Sequence, residues 1–197
     1  MKVKLLGTEI YISFLFCAVI SLMLAFDRTG LVIPTLFAAL IHETGHLFMM
    51  WVTGCQPRSV RLIPASVQIV RGFPQKKNGE IKIALAGPAV NLLLFCVLFF
   101  NYKIFGSKPV LSFAVLNLVV GIFNLLPVTG LDGGTVLIHL LSRGNNIARA
   151  VLTVKIITAV MCAAVFVFGV YLYLNGNFNL SVFIVALYLL LCVIIKY

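Results

Sequence analysis

Residues 31–52 read LVIPTLFAALIHETGHLFMMWV. As a helix this stretch is long enough to cross a bilayer core, which takes about 20 residues at 1.5 Å each. Its middle nevertheless holds His42-Glu43-Thr44-Gly45-His46, an H-E-x-x-H pattern. Ionisable side chains at membrane depth are costly and therefore mark function. Positions i and i+4 lie about 40° apart around a helix and about 6 Å along it, so both imidazoles can close on one metal ion. Glu43, about 100° round from His42, can reach a water bound to that ion. Zinc suits the set, because a catalytic zinc takes three protein ligands and keeps one position open. Two of the three histidines in the chain fall in this pattern. The alternative, two buried histidines satisfied by neighbouring helices, leaves a His-Glu-His group without compensation.

Composition agrees with a membrane setting. The chain has 197 residues, 62% of them hydrophobic and only 10% charged, against about 25% charged in a soluble domain. That excludes a soluble globule, a disordered chain and a disulfide-stapled scaffold. The expected class is an all-α polytopic membrane protein of about six transmembrane helices, over 10–26, 31–52, 81–100, 110–126, 150–174 and 180–195. A short membrane-associated strand or hairpin segment is expected between the second and third. The net charge of +10 reports orientation rather than nucleic-acid binding, since basic residues gather in cytoplasmic loops. Lys2, Lys4, Arg58, Arg61, Arg71, Lys76, Lys77, Lys82, Arg143, Arg149 and Lys196 fall on one side, and Arg28, Lys103 and Lys108 on the other. Both termini are therefore expected in the cytoplasm, with the lipid bilayer as the surrounding medium. No small-residue cleavage site follows the first apolar run, which reads as a retained anchor. Five cysteines without a C-x-x-C pair read as packing residues.

The third metal ligand must come from elsewhere in the chain. Residues 124–134 read NLLPVTGLDGG, where a proline and three glycines argue against an ordinary helix. Irregular backbone at membrane depth is tolerated only where protein or a water-filled cavity surrounds it. Asp132 on such a loop could complete a His-His-Asp set, the bland reading being a charged turn at the membrane edge. Asn117, Gly121 and Asn124 share one helical stripe, and Ala84, Gly87 and Asn91 another. Small residues allow close helix approach and amides hydrogen-bond across it, so these read either as packing or as substrate and oxyanion contacts. Residues 60–71, VRLIPASVQIVR, are rich in β-branched residues around a proline. They suit short strands or a re-entrant hairpin, or else a plain surface loop.

Taken together, His42–His46, the N-x-x-P-x-x-x-L-D-G stretch from Asn124 and Ala86-Gly87-Pro88-x-x-Asn91 resemble the site-2 protease family of intramembrane zinc metalloproteases. The resemblance implies His42, His46 and Asp132 as ligands of one zinc ion and Glu43 as catalytic base. It also implies substrate-binding or supporting roles for Asn124, Asn91, Pro127 and Gly133. Substrates would be transmembrane or membrane-associated proteins, often regulators of transcription such as a sigma-factor precursor or an anti-sigma factor. A membrane inhibitor or regulator is a further expected partner, and the setting would be a bacterial cytoplasmic membrane. The layout is similar to the compact branch that processes a sporulation sigma-factor precursor. The expectation is a single metalloprotease domain over 1–197, without the PDZ insert or the CBS domain found in other members. Two rival classes stand beside the protease. A metal-ion transporter would need ligands along both halves of a path, and an inactive interaction protein would be expected to have lost Glu43.

Overall fold

The computed structural model describes residues 2–5, 8–55, 57–63, 66–71, 77–142, 146–176 and 179–195. Lys76, Arg143 and Lys196, counted above toward orientation, and Pro64 and Ala65 of the 60–71 segment lie outside the described residues. Two compact units divide the chain, Met1–Phe123 and Asn124–Tyr197.

The first unit opens with strands β1 (Lys2–Leu5) and β2 (Thr8–Ile12). The first expected span thus begins too early. Thr8-Glu9-Ile10-Tyr11-Ile12 is rich in β-branched and aromatic residues, which favour a strand. Helix α1 (Phe14–Ala25) starts only after Ser13. Helix α2 (Val32–Val52) follows, then β3 (Pro57–Ile63) and β4 (Ser66–Arg71), which take up the 60–71 segment. The sheet order is β1-β2-β3-β4. β1 with β2 and β3 with β4 run antiparallel, while β2 and β3 run parallel with Ile10 opposite Val60. The fold is therefore not purely helical, and the N-terminal hairpin is an addition to the expected strand segment. Helices α3 (Lys77–Phe105) and α4 (Lys108–Asn124) complete this unit up to Phe123.

Local chemistry sets where α2 begins and ends. Asp27 Oδ1 accepts from the backbone N–H groups of Thr29 and Gly30, at 3.0 and 2.9 Å. Its Oδ2 accepts from Val32 N–H, the first residue of α2, at 3.0 Å. These are orphan donors of the kind every helix start carries, and Pro34 is tolerated beside them because first-turn N–H groups need no helical partner. At the far end Gly54 takes a left-handed φ of 69°, and Cys55 N–H reaches back to Met50 O at 2.9 Å. That closure is the usual one for a glycine-terminated helix.

The second unit holds α5 (Asp132–Leu141), α6 (Ile147–Leu174) and α7 (Leu180–Ile195). Here a second expectation is corrected. Asp132 does not lie on an irregular loop; it is the first residue of a helix, and Gly133 and Gly134 are helical too. The glycines are needed for close approach rather than for breaking, since a Cβ on Gly133 would collide with Leu125 O and one on Gly134 with Val128 O. The irregular part is the turn over 125–131, with Gly130 at φ 90°. Thr129 anchors that turn. Its N–H donates to Thr158 Oγ1 on α6 at 2.9 Å, and its hydroxyl donates to Cys192 O on α7 at 3.2 Å.

Among the described residues three helices, α2, α3 and α6, are long and apolar enough to cross a membrane. At 1.5 Å per residue the shorter apolar helices α1, α4 and α7 reach only about 18–26 Å. Large apolar side chains point outward, among them Trp51 at 73% exposure and Phe48 at 61%, which suits lipid and not water.

Candidate metal centre

One face of α2 carries Ala38, His42, Gly45, His46 and Met50, all buried. That face packs against the α3 face bearing Ile83, Ala84, Ala86, Gly87 and Asn91, also buried. The approach is close because the contact residues are small. A Cβ on Gly45 would sit 2.7 Å from Ala86 O, and one on Gly87 would run into His46 Nε2 and lie 2.8 Å from His42 Cε1.

His46 Nδ1 lies 2.8 Å from Ile83 O. A carbonyl only accepts, so this nitrogen carries the proton. His42 Nδ1 lies 2.9 Å from Asn91 Oδ1, which likewise accepts. Nε2 is then the nitrogen each ring can offer to a metal, and the two Nε2 atoms lie 3.1 Å apart. Nitrogens bound at about 2.05 Å to a tetrahedral zinc ion stand about 3.3 Å apart. The residues present therefore fit zinc. Glu43, half-buried, follows His42 on the same helix.

The other residues singled out by the motifs belong to the second unit. Asn124 closes α4 and is half-buried, as is Pro127 in the turn that follows. Asp132, half-buried, opens α5, and Gly133 behind it is buried. A carboxylate in the first turn faces the positive end of its helix. A reading of the sequence misses the Ile83 carbonyl, and it sets Gly87 and Asn117 on helical stripes without showing the places they take, the wall behind both rings and the partner behind Asn91.

Comparison with known proteins agrees with this chemistry. Residues 102–168 match Peptidase family M50. A zinc metalloprotease of Methanocaldococcus jannaschii is 30% identical over 153 residues, covering 72% of this chain and 44% of that protein. The solved structure of a site-2 protease from Methanocaldococcus jannaschii aligns with a TM-score of 0.74, over 98% of this chain and 93% of that one, at 23% identity. Together these likenesses support the site-2 protease family. The chain spans less than half the length of its curated zinc metalloprotease relative. Three described helices long and apolar enough to cross a membrane agree with a membrane protein, and zinc is the metal named for the curated relative.

Proposed function

We propose that this chain is an intramembrane zinc metalloprotease that hydrolyses peptide bonds of transmembrane or membrane-associated proteins. The observation that carries the reading is the pair of Nε2 atoms 3.1 Å apart, on rings that are each oriented by a bond at Nδ1. On this reading His42, His46 and Asp132 would be the ligands, a His-His-carboxylate set of the kind catalytic zinc uses, and 1–197 would act as a single metalloprotease domain.

Zinc, when bound, supplies Lewis acidity toward water and the scissile carbonyl. Glu43 takes the proton from the attacking water and delivers it to the leaving amine, the ordinary work of a general base that becomes a general acid. Asn124, Pro127 and Gly133 would hold substrate or support Asp132. A helical substrate shields its own carbonyls, so it must be presented extended, and the outer edge of β4 could pair with it. Six spans with both termini in the cytoplasm, regulators of transcription as substrates, and control by a membrane inhibitor complete the proposal.

The test is cleavage of candidate membrane substrates by the purified wild type and Glu43→Gln, with zinc quantified in both. The expected result is about one zinc per chain in each and cleavage by the wild type alone. Zinc without cleavage across a broad substrate panel would favour a transporter or a binding protein. No zinc in either would remove the metal site.

A further inference from the structure

The amides behind His42 form a chain whose direction is set at both ends by groups that can only accept. On α4, Asn117 Nδ2 donates to Phe113 O at 2.8 Å. Its Oδ1 is thereby turned toward α3, where it accepts from Asn91 Nδ2 at 2.9 Å. The same Asn91 nitrogen also donates to Ala38 O on α2 at 3.1 Å. Both hydrogens of that nitrogen are now committed, so Asn91 presents its oxygen to His42 Nδ1. Turning the Asn91 amide over would set oxygen against both Ala38 O and Asn117 Oδ1. Asn91 and Asn117 are fully buried, so no water is at hand to repair such an error, and a misplaced buried polar group is expensive.

We propose that Asn117 is a positioning residue for His42: acting through Asn91, it fixes the Nδ1–H tautomer and so turns Nε2 into a ligand. Helix packing alone would not require a directed chain of amides ending on an imidazole nitrogen. Nor does His46 need such a device, because a main-chain carbonyl sets its tautomer and no side-chain substitution removes that group. The asymmetry makes His42 the ligand whose chemistry depends on a residue one helix further away. The consequence for zinc rests on the metalloprotease reading, whereas the tautomer does not.

The test reads both. In metal-free protein labelled with ¹⁵N-histidine, the wild type is expected to show His42 as the Nδ1–H form. Asn117→Leu is expected to bring in the Nε2–H form and to weaken zinc binding, measured by chelator competition, by about 10- to 100-fold. Asn117→Asp, neutral at this depth, keeps a carbonyl oxygen for Asn91 and an O–H for Phe113 O, so tautomer and zinc affinity should stay near the wild type. An Nε2–H form of His42 in the wild type overturns the proposal without any variant. It falls equally if Asn117→Leu leaves tautomer and affinity unchanged, or if the Leu and Asp variants lose zinc alike. A wild type that binds no zinc would sink the metalloprotease reading instead, and the tautomer of the metal-free protein would still decide the relay.

Discussion

Gly87 is where the backbone of α3 comes nearest both imidazoles, and no other residue type fits there. An alanine methyl would run into His46 Nε2 and crowd His42 Cε1, so the rings must swing out of their facing arrangement. Gly87→Ala is expected to weaken zinc binding by about 10- to 100-fold while the helices persist, as chelator competition alongside circular dichroism would show. At this scale the sequence is partly readable. His42, Glu43 and His46 announce themselves because their spacing is a property of one helix. Gly87, Asn117 and the Ile83 carbonyl act across helices, and nothing in their local sequence says which imidazole they will meet.

Among the elements, the start of α2 depends on charge. The Val32 N–H above all, then the Thr29 hydroxyl and the Thr29 and Gly30 N–H groups, hold the Asp27 carboxyl below its ordinary 3.8. A carboxylate whose folded value is depressed contributes stability above the unfolded value and loses it as pH falls through the folded one. Asp27→Asn should therefore melt below the wild type near neutral pH, and the gap should close as pH falls below 3.8 and through the lower folded value. The turn over 125–131 offers a second comparison. Thr158→Val strips a buried N–H, that of Thr129, of its partner and should cost about 1–3 kcal/mol. Thr129→Val removes only its own hydroxyl bond to Cys192 O, whose loss should cost about 1 kcal/mol. Denaturant melts that reversed the order would break this account of the turn. The expected span over 180–195 coincides with α7, since a continuous apolar run leaves little choice. The sequence misleads at α1 and at the start of α5, for opposite reasons. The strand-favouring residues of Thr8–Ile12 run straight into an apolar stretch, and glycines at 133 and 134 look like breakers when they serve close approach. The parallel pairing of β2 with β3 joins residues some fifty positions apart, which no local pattern encodes.

At the scale of the whole molecule, charge asymmetry carries the proposed orientation. Basic residues concentrate in the 53–80 and 142–149 segments and at both ends, and such loops stay in the cytoplasm. A reporter joined after Tyr197 is expected to read cytoplasmic, and an external reading would reverse the proposed direction of every span. Membrane class and family follow from composition and two motifs. What stays hidden is that, among the described residues, only α2, α3 and α6 are long enough alone to bridge a bilayer, because apolar runs in sequence do not reveal where a helix will stop.

The facing histidines are held by Ile83 O and Asn91, groups that the polypeptide itself provides. Many small zinc domains stay unfolded until the metal arrives. Here Ile83 O and Asn91 already orient both imidazoles from α3, so the packing of α2 on α3 does part of the ordering that a metal would otherwise have to impose.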